Sequence, residues 1–149
     1  LAIATRGQGY ESHTVSWRNL IPLVAKNTYS SSGMAESEAL TQLSFTGNWK
    51  ALPVGETVVY QTTRASLNSL IGSRTKVQTT RCLVERELQA SELNPGLLGA
   101  AKALKCSFDN DEYNRVNHLY YLTDYAYFYE SSTDKNAFYY SDTRIDKFE

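Results

Sequence analysis

The segment Thr57-Val58-Val59-Tyr60-Gln61-Thr62-Thr63-Arg64-Ala65-Ser66 is dense in β-branched residues, with polar side chains at alternate positions. That composition fits a pleated strand with one face packed and one wetted. A second segment of the same kind, Thr75 to Glu87, follows a turn around Gly72-Ser73. Together they read as a long antiparallel hairpin with Thr- and Arg-rich exposed faces. Gln-Thr-Thr-Arg occurs at 61–64 and again at 78–81, and strand composition accounts for this better than an internal repeat does.

Towards the N-terminus, Leu52-Pro53-Val54-Gly55-Glu56 is a turn, with Pro presetting φ and Gly free to take a positive one. Leu40 to Trp49 alternates as a strand does, whereas Met34 to Leu43 is rich in Ala, Glu and Leu and could open a helix. Asn27 to Gly33 is a loop by composition. Val15 and Trp17 alternate with Thr14, Ser16 and Arg18, giving a strand that ends at Pro22 or a short helix start. Residues 1–12 read as a loose lead-in.

Towards the C-terminus, Asn94-Pro95-Gly96 excludes a continuous helix. Leu97 to Leu104 can form a short helical turn that feeds a strand over Ala103 to Phe108. Asp109 to Asn114 is a polar turn. Arg115 to Glu130 is an aromatic stretch that Thr123-Asp124 breaks into a tight hairpin. Ser131 to Asn136 is a further turn, and Ala137 to Ile145 a last strand. The expected fold is therefore mainly β. It is an antiparallel meander forming a sandwich or strongly curved sheet, with at most one or two short helices. The 149 residues suit a single domain.

Charge is unevenly spread around a net −1. Residues 50–106 carry eight basic and four acidic side chains, and residues 107–149 carry four basic and nine acidic. Ordinary solvated surface explains this more simply than a steering field does. No basic run or aromatic-plus-basic motif supports nucleic-acid binding. No apolar stretch is long enough for a membrane-spanning helix. The chain begins at Leu1 without an initiator Met, which is read as the removal of a signal peptide, a tag or a longer upstream protein.

Cys82 and Cys106 lie in strand-like segments, and no third or fourth ligand accompanies them. Their even count favours a disulfide over zinc, and a structural disulfide implies an oxidising compartment, periplasmic or extracellular. The alternative is two buried free thiols. No Asn-x-Ser/Thr sequon is present, so a bacterial periplasm or cell surface is the favoured location.

Eight of the eleven tyrosines fall between Tyr113 and Tyr140. In regular strands Tyr121, Tyr125, Tyr127 and Tyr129 would share one face, with Tyr120 and Phe128 on the other. Tyrosine offers a large contact area with few rotors and a polar tip, so this face is a candidate partner surface. Its simpler explanation is that tyrosine is a good strand residue. Arg64, Arg74, Arg81 and Arg86 of the long hairpin could form a positive stripe, although the sequence does not say whether Arg64 and Arg81 are cross-strand neighbours. Trp17 and Trp49 read as core. His118, with acidic residues nearby in sequence, is a candidate general base, but no Gly-x-Ser-x-Gly elbow accompanies it. Asp109-Asn110-Asp111-Glu112 starts like a calcium loop yet lacks the Gly at its sixth position. No motif for a nucleotide, haem, metal or redox-dithiol cofactor is present.

The leading expectation is an exported, non-catalytic module that recognises a protein partner through Tyr121, Tyr125, Tyr127 and Tyr129, aided by Arg64 and Arg81. An inhibitor or immunity-type protein, or an accessory subunit of an envelope complex, would have this make-up. The alternatives are a β protein that binds a small ligand or carbohydrate, and a hydrolase using His118 with a carboxylate.

Overall fold

A computed structural model describes residues 1–7, 9–134 and 141–145. Ten strands form one antiparallel sheet whose order is the order of the chain. They are β1 (Ala2–Gly7), β2 (Tyr10–Trp17), β3 (Ile21–Tyr29), β4 (Met34–Thr46), β5 (Thr57–Asn68), β6 (Gly72–Gln89), β7 (Ala100–Phe108), β8 (Val116–Leu122), β9 (Tyr127–Thr133) and β10 (Ser141–Asp142). The expected meander is therefore present, as one sheet. Its only helical element among the described residues is a 3-10 turn at Ala90–Glu92.

The long hairpin read from Thr57 onward is β5 and β6. Residues 1–12, expected to be loose, instead form β1 and the start of β2, paired from Ala2↔Val15 to Gly7↔Tyr10. Met34 to Leu43 is strand, not helix. Glu36 and Glu38 there meet cross-strand partners, Asn68 and Arg64, which a helix could not offer them. Strand β7 starts at Ala100, so no helical turn intervenes after Gly99. The expected turn at Ser131 to Asn136 and strand at Ala137 to Ile145 lie partly outside the described residues. Within them, β9 continues to Thr133 and β10 covers Ser141–Asp142.

Turn chemistry follows from the sequence. Arg18 and Asn19 both take positive φ, 49° and 60°, in the three-residue link between Trp17 and Ile21. Asn68 accepts hydrogen bonds from the amides of Leu70 and Ile71, closing the β5–β6 turn with its own side chain.

The chain divides into two compact units. The first comprises residues 1–44 and 61–78; the second comprises 45–60 and 79–149. Strands β4, β5 and β6 contribute to both. The units differ sharply in what they bury. Of the buried apolar residues among those described, Ile21 alone belongs to the first unit, and the other fifteen belong to the second.

The second unit has a layer on each face of its strands. On one face Trp49 packs edge-on against Phe45, Tyr60 and Phe128, and its indole N–H donates to the Val59 carbonyl at 2.9 Å. On the other, Leu88, Ala101, Ala103 and Leu122 pack with Ala90 and Leu97 from the 90–98 segment. This two-sided cover is why Ala103 and Leu104, adjacent in β7 and pointing to opposite faces, are both buried. Cys82 and Cys106 are directly opposed in the β6–β7 register and form the expected disulfide, with Cα atoms 4.1 Å apart.

Candidate functional site

The tyrosines do not share a face. From Leu119↔Glu130 to Leu122↔Tyr127, residues paired across the β8–β9 hairpin have numbers of opposite parity. An odd residue in this part of β8 therefore sits beside an even one in β9. Tyr121 packs on Phe128 with ring centroids 4.5 Å apart. Tyr129 stacks on Tyr120 at 6.5 Å, on the opposite face. Tyr125 lies in the turn and accepts a hydrogen bond from the Leu98 amide at 3.0 Å. Tyr125 and Tyr127 pack against the Leu88–Leu122 cluster, and Tyr121, Tyr125, Tyr127 and Tyr129 are all half-buried. The single odd-numbered face is thus corrected to two faces, each contributing to packing within the second unit.

Arg64 and Arg81 do not form a stripe of free cations. Arg64, in the first unit, is largely buried and donates to the Pro22 carbonyl at 2.7 Å and to Glu38 at 3.2 Å. Arg81, in the second, holds Asp109 through two hydrogen bonds of 3.0 Å. This bidentate contact, and then the carboxylate's charge, raises the Arg81 pKa.

His118 does meet a carboxylate, though one the sequence gave no reason to choose. Its Nε2 lies 2.5 Å from Asp134 Oδ1. The acidic residues closer in sequence are engaged elsewhere. Asp109 serves Arg81, and Asp111 accepts from the Arg115 guanidinium and backbone amide, the latter at 2.6 Å. Among the described residues, no hydroxyl or thiol is bonded to the His118 ring. Among the described residues, no group of three or more His, Cys, Asp or Glu side chains could hold a metal ion.

What sequence reading missed is the first unit. The register sets Tyr10, Ser12 and Thr14 of β2 on one face with Ala25, Asn27 and Tyr29 of β3 and with Met34, Glu36 and Glu38 of β4. All of these are half-buried. A row of bonded polar groups crosses the strands. Ser12 and Tyr10 hydroxyls donate to Asn27 Oδ1 at 2.8 and 3.3 Å, and Asn68 Nδ2 donates to Glu36 at 2.5 Å. Tyr10 and Tyr29 flank the row with ring centroids 5.2 Å apart. Partial burial first, and then the Glu36 charge, raise the Tyr29 phenol pKa.

The opposite face carries another row, Ala2–Val15–Val24–Ala39, across four strands. Val15 and Val24 in it are 45% and 38% exposed. At the β5–β6 tip, Leu70 and Ile71 are exposed as well, at 72% and 60%. The only hint of this in the sequence was the alternation of Val15 with its polar neighbours.

No protein family, curated protein or solved structure matches this chain.

Proposed function

We propose that this protein is an exported, non-catalytic binding module that recognises a protein partner, and that the partner docks on the apolar row of the first unit. The observation that carries this reading is the contrast in burial. Among the described residues, Ile21 is the first unit's single buried apolar residue, while Val15 and Val24 of the row stay open to solvent. A sheet that leaves neighbouring valines uncovered gains by burying them against another surface. The partner expected is a protein presenting an apolar strip, since Ala2, Val15, Val24 and Ala39 offer shape and no charge. The disulfide supports a location in the periplasm or outside the cell. There the module would act as an inhibitor or immunity-type protein, or as an accessory subunit of an envelope complex.

A photo-crosslinking side chain placed at Val24, with Leu98 and Tyr113 as exposed positions in the second unit, tests the reading in the native host. The expected result is one discrete heterologous adduct from position 24 and none from the other two. Adducts from all three alike, or from Leu98 or Tyr113 alone, would remove the proposal. So would an adduct from position 24 that contains only this chain.

A further inference from the structure

On the polar face of the first unit lies a cleft of about 380 Å³. We infer that it is a binding site for a neutral saccharide. The volume is in the range of small-ligand sites, roughly 300 to 1,000 Å³. The class of ligand follows from the groups that line it.

Glu36 and Glu38 supply two carboxylates, Asn27 and Asn68 two amides, and Arg74 a guanidinium, while Leu67 and Ile71 add an apolar edge suited to the C–H face of a sugar ring. Arg64, bonded to Glu38, brings a second positive charge to the cleft's edge. Two carboxylates and two guanidinium groups leave the site without net charge. A free anion would meet both carboxylates, and a cation both guanidinium groups. An apolar ligand would strip water from five polar side chains without replacing its hydrogen bonds. A neutral molecule rich in hydroxyls avoids all three penalties, because each hydroxyl both donates and accepts.

The site also has unused capacity. Glu36 and Glu38 are each hydrogen-bonded through one oxygen, and their second oxygens have no partner among the described residues. Asn27 is engaged through Oδ1, leaving its amide hydrogens. The Arg74 guanidinium bonds to no described residue; only the Arg74 carbonyl is used, by Ser66. Planar donors and acceptors fixed on neighbouring strands match vicinal hydroxyls in pairs. Asn27, Glu36, Glu38 and Asn68 are held by the cross-strand bonds they already make, so only the exposed Arg74 side chain needs ordering on binding. Val15 and Val24, on which the docking reading is tested, lie on the reverse face, so the two readings are tested at different residues.

The test is a titration of the intact, disulfide-bonded protein with maltotriose, cellotriose and chitotriose, followed by backbone amide chemical shifts. Sialyllactose and inorganic phosphate serve as anionic comparisons. The expected result is saturable shifts at Ser12, Asn27, Glu36, Asn68 and Arg74 with at least one neutral trisaccharide. Asn27→Ala and Arg74→Gln should each weaken that binding about ten-fold. Arg74 supports no part of the fold through its side chain, so R74Q keeps the test decisive if N27A does not fold. Saturation only by phosphate or sialyllactose would overturn the inference. So would shifts confined to the Tyr120–Tyr129 face, an unchanged affinity in R74Q, or no shift with any neutral sugar at about 10 mM, beyond the range of specific recognition.

Discussion

Asp111 illustrates how the 109–114 turn is held by its bonds to Arg115. The Arg115 side chain first, and its backbone amide second, hold the Asp111 carboxyl at a pKa of about 2, against an ordinary 3.8. A folded-state value below the unfolded one means that the pair stabilises the fold above about pH 4. That contribution is lost as pH falls through about 2. Asp111→Asn should therefore lower Tm at pH 7, and the deficit should shrink steadily between pH 4 and pH 2. A deficit of equal size at both ends would show that charge is not what Asp111 supplies. Two tyrosines make a second contrast at this scale. The Tyr125 hydroxyl accepts from the Leu98 amide, whereas the Tyr129 hydroxyl is buried with no hydrogen-bond partner among the described residues. Tyr125→Phe should cost about 1 kcal/mol in denaturant unfolding, and Tyr129→Phe should be neutral or stabilising, because a buried unpaired hydroxyl is a desolvation cost. The reverse order would contradict the assigned hydrogen bonding. Which carboxylate meets His118 was not legible from sequence distance. Asp134 reaches it only because Ser132, two residues before, is the β9 partner of His118.

At the level of elements, the strands were largely legible and their registers were not. Alternating β-branched residues announced β5 and β6, and the Thr123-Asp124 break announced the β8–β9 hairpin. Whether Tyr121 and Tyr129 share a face depends on how many residues the turn contains, and a difference of one reverses the answer. The four-residue turn between Leu122 and Tyr127 separates them. Met34 to Leu43 misled for another reason. Its Ala, Glu and Leu favour a helix locally, but pairing with β3 along Val24↔Ala39 to Tyr29↔Met34 and bonding to β5 satisfy its backbone and its carboxylates together. The disulfide was the most legible long-range contact. It joins directly opposed positions of β6 and β7 that are 24 residues apart in sequence. Replacing both cysteines by Ser should cost about 3 to 4 kcal/mol by the chain-entropy estimate for a loop of that length. Equal denaturation midpoints for the reduced and oxidised protein would show that the β6–β7 pair needs no crosslink.

Across the whole molecule, apolar burial is divided unevenly between the units. The second unit holds nearly all of the core, with Phe128, Leu52, Leu97, Leu104 and Leu122 among its fully buried side chains. Tyr121, Tyr125, Tyr127 and Tyr129 contribute to packing there. The first unit relies on cross-strand hydrogen bonds and leaves one face polar and the other sparsely apolar. Such a division leaves the Val15–Val24 row uncovered while the buried core lies in the second unit. Composition alone could not show it, because the apolar fraction of a sequence does not say which strands receive a covering layer. Hydrogen exchange on the isolated, oxidised protein tests the division most directly. Strands β2 and β3 have a partner on each side, as β7 and β8 do, so backbone pairing is alike and only the covering layers differ. The account predicts that amides of β2 and β3 exchange about 100-fold faster or more than those of β7 and β8. Equal protection in the two pairs of strands would contradict it.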